Sequence, residues 1–509
     1  MKSLLFLLFP AFVFAQPLPR STPEKEGVSS SAITKFLTAF QNSQNELHGF
    51  VFIRHGKVIA EAWAKPYGES LKHTLYSTSK SFTSTAIGFL VSEKKITVQD
   101  KVISFFPDKL PDTVSDNLKA LTVQNLLTMS VGHEKDPSGV IPPQNDWAKA
   151  FLATPIVNKP GSKFLYNSMA TYMLSAIVQK VSGEKVIDYL EPRLFKPLGI
   201  TNKDWETNGE DINTGGWGLR LSTRDMAKFG LLFLNKGKWN GKQIIPAAWI
   251  EEASSAHIKQ KPDATPEELA SSEWVQGYGY QFWRSRHNSY RADGAFGQYI
   301  LVLPEQDAVI AINCETPDMQ NEINLVWEYL KPAMGAKALP ADPKALQAMV
   351  AAASNLKVNP RQLKSESASK PAGIKFANKT FTLNDNQNKL LSVTFNTTTN
   401  GLDVSIVSET GKSDLVFGDH KWLAGSTGIK GPSLTSHAVN SLQGLAPFKI
   451  AGEYAWVDDK TLELFIQYTE SAHRWNWTCH FDGDGIKIER KSSFANFKEV
   501  KVDETITGK

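Results

Sequence analysis

The chain has 509 residues, 41% hydrophobic and 21% charged, enough for two or three globular domains with a large core. A net charge of +4 is small for that length and no dense Lys/Arg block occurs, so nucleic-acid binding has no electrostatic support. Two cysteines, Cys314 and Cys479, exclude a disulfide scaffold, and the ten histidines form no metal-ligand pattern, so neither metal nor cofactor is expected.

Met1-Lys2-Ser3, the apolar run Leu4 to Ala15 and the exit Val13-Phe14-Ala15 read as a secretory signal peptide, residues 1–15, cleaved before Gln16. The protein is therefore expected in the periplasm or secreted, with no integral membrane segment after signal removal. Ser29 to Phe40 has the pattern of a capped helix with Ile33, Leu37 and Phe40 inward. Gly49 to Arg54 and Lys57 to Trp63, joined by His55-Gly56, give a hairpin signal. From Ser77 to about Gly237 the pattern is largely helical.

Strands return at Gly277 to Trp283, Gly297 to Leu303 and Ala308 to Ile312, and Asn321 to Leu330 closes the region as a helix. Strands at both ends with helices between predict an α+β fold over residues 16–338. It is one antiparallel sheet assembled from both ends, flanked by helices, with a mostly helical insertion. Residues 339–372 read as a helix, Pro343 to Leu356, and a Ser/Pro/Lys-rich linker, a boundary expected to carry few crossing contacts. Residues 373–509 alternate as strands do, in Leu402/Val404/Ile406 and Trp475/Trp477/Cys479/Phe481. They predict a separate C-terminal all-β domain, a sandwich or small barrel, in which nothing carries chemistry.

Ser77-Thr78-Ser79-Lys80 is the stretch with chemical content. Three residues along a helix bring Ser77 and Lys80 to one side. A serine is a poor nucleophile until a base takes its proton, and lysine serves only when burial lowers its pKa. Ser-x-x-Lys also occurs at Ser92, Ser182, Ser354 and Ser367, mostly in polar stretches. Only Ser77 is followed by a run, Phe82 to Leu90, that reads as a buried helix. Tyr166-Asn167-Ser168 sits at a loop-to-helix junction, where a tyrosine beside Lys80 could hold its proton loosely, the ammonium lowering its pKa. Asp293-Gly294-Ala295-Phe296-Gly297-Gln298 heads a strand, and the Gln298 and Ser77 N–H groups could form an oxyanion hole.

Taken together, Ser77-x-x-Lys80, Tyr166-x-Ser168 and the Gly-rich strand head resemble the serine β-lactamase and penicillin-recognising hydrolase superfamily. The branch they resemble holds the class C β-lactamase-related esterases, D-aminopeptidases and 6-aminohexanoate-dimer hydrolases. Leu126 to His133, Leu221 to Gly230 and Gly279 to Trp283 agree with it, and the resemblance spans Ser21 to Met334 but not the β-tail.

The resemblance implies a serine β-lactamase/transpeptidase-like fold with Ser77 acylated and Lys80 and Tyr166 sharing the proton work. Ser168 or Asn167 stands where asparagine is usual, and Phe296, Gly297 and Gln298 lie at the third motif. That motif is normally Lys-Thr-Gly or His-x-Gly and here reads Ala295-Phe296-Gly297. Its cation is missing, though Arg291 could compensate. Ser115-Asp116-Asn117 copies a class A motif but reads as a solvated turn. The expected function is an exported serine hydrolase cleaving esters or amides in a small molecule or short peptide. The alternative is a catalytically weakened fold that binds peptidoglycan or peptide fragments. Oligomeric state is not legible in the sequence.

Overall fold

The computed structural model describes residues 18–359, 378–434, 447–495 and 504–509. The expected signal peptide, Ser367 and most of the expected linker lie outside the described residues.

One six-stranded antiparallel sheet runs in the order β2-β1-β6-β5-β4-β3. Its strands are β1 (Glu46–Arg54), β2 (Lys57–Trp63), β3 (Trp283–Ser285), β4 (Ser289–Gly294), β5 (Gln298–Leu303) and β6 (Ala308–Glu315). Phe52 pairs with Ile310, so the two ends of the region meet at its centre. Neighbouring residues of β1 serve opposite faces. Phe50 and Phe52 join Phe36 and Phe40 of α1 (Ser30–Gln41) in one core, while Val51 and Ile53 join Phe82 and Phe229 in the other. Those two phenylalanines come from α2 (Ser79–Ser92) and α4 (Thr223–Leu234), with α3 (Ser168–Ser182) packed against α2. Gly230 lets α4 approach the sheet, since a Cβ there would meet Val309 at 2.6 Å and Ile300 at 2.7 Å. The closing helix is α-helical over α5 (Met319–Leu325) and widens to a π-turn at Val326–Leu330.

The strand expected from Gly277 forms only at Trp283–Ser285. Gln281 is the reason. It takes a φ of 65°, its N–H donates to the Leu127 carbonyl, and its side-chain amide donates to Leu126 and Leu127. Tertiary partners thus replace ladder bonds over a strand-like sequence.

The C-terminal part is all β and barrel-like. Its strands are β7 (Lys379–Thr382), β8 (Leu390–Thr398), β9 (Gly401–Ser408), β10 (Gly411–Asp419), β11 (Leu423–Thr427), β12 (Phe448–Trp456), β13 (Thr461–Tyr468), β14 (Arg474–Asp482), β15 (Gly485–Ser492) and β16 (Glu504–Gly508). They pair in the order β7-β8-β9-β10-β12-β13-β14-β15-β16, with β11 beside β12. Thr382 and Lys509 exchange backbone hydrogen bonds of 2.7 and 3.0 Å, which bring the first and last strands together. Val404, Phe417, Leu464, Trp477 and Ile488 fill the interior. Cys314 and Cys479 are both free and buried, one in each part.

The expectation of few crossing contacts fails. The turn after β13 enters the first domain. Arg220 reaches Glu470 at 3.4 Å, the Tyr67 hydroxyl donates to the Ser471 carbonyl at 2.7 Å, and Arg474 bonds Glu46 at 2.7 Å. Arg474 and His48 together hold the Glu46 carboxyl below its ordinary pKa although burial alone would raise it. Ahead of the barrel, α6 (Pro343–Ser354) packs on α1, and Lys65 hydrogen-bonds Leu356 and Val358. Among the described residues no helix is long and apolar enough to cross a membrane.

Candidate active site

Ser77 lies in the single 3₁₀ turn Tyr76–Thr78 that leads into α2. From Ser79 to Leu90 every residue of α2 is buried. A helix so enclosed must satisfy its hydroxyls locally. The Ser79 hydroxyl accepts from the Leu219 N–H, Ser81 donates to the Gln281 carbonyl, and Thr83 donates to the Gly215 carbonyl. These bonds fix α2 in its surroundings and leave Ser77, just ahead of its N-terminus, half-buried.

Lys80 is 1% exposed. Its ammonium donates to Ser77 Oγ at 2.9 Å, to Ser168 Oγ at 3.0 Å and to the Gly216 carbonyl at 2.7 Å. Burial pulls its pKa down to about 7, against the opposing pull of the Asp136 and Asp293 carboxylates. Such a lysine exchanges its proton near neutrality.

Tyr166 stands at the loop before α3, its ring centroid 4.9 Å from Lys80 Nζ and 5.4 Å from the ring of Trp283. The expected lowering of its pKa is overturned. Burial raises it and the nearby Asp293 and Asp136 raise it further, with a hydrogen bond from Ser77 offsetting only part. Burial thus favours the protonated phenol of Tyr166 and the neutral amine of Lys80.

The choice between Asn167 and Ser168 is decided by the α3 cap. Asn167 is fully buried, its Oδ1 accepts from the Ala170 N–H at 3.0 Å, and its Nδ2 meets His133 Nδ1 at 3.0 Å. That leaves Ser168 to face Lys80.

The third motif is arranged differently from expectation. Phe296 packs its ring against Tyr76 and His473. Gly297 has φ 86°, and Glu322 fills the space a side chain would need. The Gln298 side chain is buried, donating to the Cys314 carbonyl at 2.7 Å, and the Gln298 main-chain carbonyl accepts from the Thr78 hydroxyl at 2.7 Å. Phe296, Gly297 and the Gln298 side chain therefore frame the site from behind, and only backbone remains for an oxyanion. Arg291 does not supply the missing cation. It is fully buried, with Nε on Asp293 at 2.8 Å and Nη1 on Ser285 at 2.7 Å.

Two contributors were missed. Gly216 gives Lys80 its shortest hydrogen bond. The signal was the cluster Thr214-Gly215-Gly216-Trp217-Gly218, since a Cβ at Gly216 would lie 2.8 Å from the Ser168 carbonyl. Asp136 gave none, because it sits in a polar loop. Ser115 caps the short helix Asp116–Ala120, and the Asp116 side chain is 98% exposed, remote from this chemistry. Among the described residues no His/Cys/Asp/Glu cluster could hold a metal ion.

The Beta-lactamase family model matches residues 42–329. The chain is 24% identical over 321 residues to 6-aminohexanoate-dimer hydrolase of Paenarthrobacter ureafaciens, covering 58% of this chain and 80% of that protein. It is 28% identical over 159 residues to an Escherichia coli K12 protein provisionally described as a D-alanyl-D-alanine carboxypeptidase, covering 29% of this chain and 36% of that one. A solved Bacillus anthracis structure, provisionally described as a 6-aminohexanoate-dimer hydrolase, has a TM-score of 0.51 at 22% identity over 64% of this chain and 89% of its own. That likeness supports the fold. The matched segment is more than half of the chain and contains the whole Ser77–Lys80–Tyr166–Ser168 cluster, so the chain belongs to the Beta-lactamase family.

Proposed function

We propose that the protein is an exported serine hydrolase that cleaves ester or amide bonds through an acyl-enzyme on Ser77. One observation carries the reading: a fully enclosed lysine with its Nζ 2.9 Å from a half-buried serine and a pKa near 7. A binding protein has no use for that arrangement, which costs desolvation of a cation. The 6-aminohexanoate-dimer hydrolase and the carboxypeptidase-like relative support hydrolysis of an amide.

Neutral Lys80 takes the Ser77 proton as Oγ attacks the carbonyl carbon. The Ser77 N–H and backbone at the head of β5 face the oxyanion, each such donor worth roughly 3 to 4 kcal/mol in the transition state. Tyr166, still protonated, gives its proton to the leaving oxygen or nitrogen and recovers one from Lys80. Water then enters, loses its proton to the same pair and releases the acid. With Arg291 buried and Asp136 and Asp293 close to Lys80, the site offers a substrate carboxylate no cation among these groups. A neutral or amine-bearing substrate fits better than the acidic ring of a penicillin. Export rests on the signal-like residues 1–15 and predicts a mature N-terminus at Gln16.

A fluorophosphonate probe should label wild type at Ser77, and Ser77→Ala should abolish both label and ester hydrolysis at nearly unchanged Tm. Label on another serine, or turnover by Ser77→Ala, would remove the assignment. A folded wild type inert to probe and esters would favour the peptide-binding alternative.

A further inference from the structure

Tyr76, the residue before Ser77, has φ 45°, a left-handed conformation that an aromatic residue keeps only when its surroundings impose it. The barrel supplies those surroundings. In the turn between β13 and β14, Ala472 and His473 are fully buried. His473 Nε2 is 2.5 Å from the Tyr76 hydroxyl, and Nδ1 is 2.7 Å from Glu315 at the end of β6. With Glu315 accepting from Nδ1–H, Nε2 is left to accept the phenol proton. Ser493 donates a second hydrogen bond to the same Glu315 oxygen at 2.6 Å.

Ring contacts complete the arrangement. Phe296 is 5.6 Å from Tyr76 and 4.6 Å from His473, and Phe494 is 4.4 Å from His473 and 5.3 Å from Phe296. Tyr76 and Phe296 belong to the two segments that flank Ser77, the 3₁₀ turn and the β4–β5 turn. Both therefore rest on barrel side chains, His473 and Phe494 among them, and Ser433 and Leu434 add hydrogen bonds to Tyr76.

We infer that His473 is a positioning residue for acyl transfer. By holding strained Tyr76 against Phe296, it fixes the Tyr76–Ser77 peptide. That sets the Ser77 amide and hydroxyl at the separation from the β4–β5 turn that the oxyanion needs. The inference rests on the reading of Ser77 as nucleophile. It makes the barrel part of the catalytic apparatus although none of its residues touches substrate.

Tyr76→Phe removes one oxygen atom, and His473→Gln keeps a side-chain amide near the same place. Each should lower kcat on a p-nitrophenyl ester by ~10- to 100-fold with KM within about threefold, the scale of a misplaced reacting group. The double variant should lose no more than the worse single variant, because both break one contact. Hydrogen exchange at amides 75–80 should quicken in both variants while β1 and β6 stay protected. Folded variants with wild-type kcat, or a loss confined to KM, would overturn the inference. Should His473→Gln fail to fold, Tyr76→Phe decides alone. If wild type neither hydrolyses the ester nor takes the label at Ser77, the proposed function falls and exchange judges the clamp separately. Quickening at 75–80 in Tyr76→Phe then sustains it, and unchanged exchange overturns it.

Discussion

The six-stranded sheet and the barrel bury their strands in different ways. All of β5 and β6 is buried, because helices cover both faces of that sheet. In the barrel, β9 and β15 alternate buried with more exposed positions, as one-sided strands do. β13 departs from its neighbours, for only Thr461 at its start is less than buried. Its outward Gln467 donates to the Tyr67 hydroxyl at 2.6 Å across the boundary. The outward side of β13 is thus divided: Glu463 and Phe465 line a hollow of the barrel with Asn476 and Thr478, and Gln467 at its far end crosses to the first domain. The same strand ends in the turn that reaches Tyr76, so in the proposed mechanism one region would hold the reacting groups and the other their frame.

The largest effects should come from the first region. Lys80→Ala should reduce ester kcat by about 10³-fold or more and Tyr166→Phe by about 10²–10⁴-fold, with the double variant far from multiplicative. Losses that multiplied would mean that the two side chains do not act as one unit. Wild-type kcat should rise with pH through about 7 as Lys80 loses its proton. Stability should rise too from there toward the ordinary lysine range, because the unfolded lysine keeps a proton the folded one has released. A rate profile flat between pH 6 and 8 would count against Lys80 as base.

Cutting the chain just before residue 360 removes the whole barrel and leaves Tyr76, Phe296 and Glu315 uncovered. Activity should fall by about 100-fold or more, or the protein should become insoluble. A soluble truncated domain with full turnover would dissolve the division of labour. Arg474→Ala is a finer cut. It leaves the partly buried Glu46 with His48 but without its guanidinium and should cost about 1–3 kcal/mol of stability, read as a fall in Tm. The smallest effect belongs to the motif decoy. Asp116→Ala should change kcat not at all and stability by less than about 1 kcal/mol, since the side chain is solvated.

Much of the first region was legible because its signals are local. The Ser77–Lys80 spacing needs only helix geometry, the β1–β2 hairpin needs only alternation and a turn, and several ordered motifs agreed on one fold. Failures came where a residue's role depends on distant partners. Gln281 looked like strand, but its amide belongs to Leu126 and Leu127. Phe296 looked like a substrate contact, but its neighbours come from residues 473 and 494. Asn167 and Ser168 were indistinguishable until the cap of α3 claimed the first. Arg291 was near in sequence, yet Asp293 and Ser285 hold it inside. In the barrel, Leu462 to Tyr468 still alternates, with Glu463 and Gln467 at outward positions, so its two-sided burial left no apolar run to read.

The pairing of β1 with β6 has a consequence for how the molecule is made. Phe52 lies opposite Ile310, and the central sheet is closed by strands from the two ends of its domain. A ribosome delivers β1 early, yet its partner emerges only after the whole helical insertion. Until then a strand with the apolar run Phe50 to Ile53 has one neighbour, β2, and a bare edge that invites other chains. Folding of such non-local topology is slow and begins late. Residues 46–63 are thus the segment that most needs shelter during biogenesis, and the half-exposed positions of edge strand β2, not the buried ones of β1, are where added charge would improve solubility at least cost to packing.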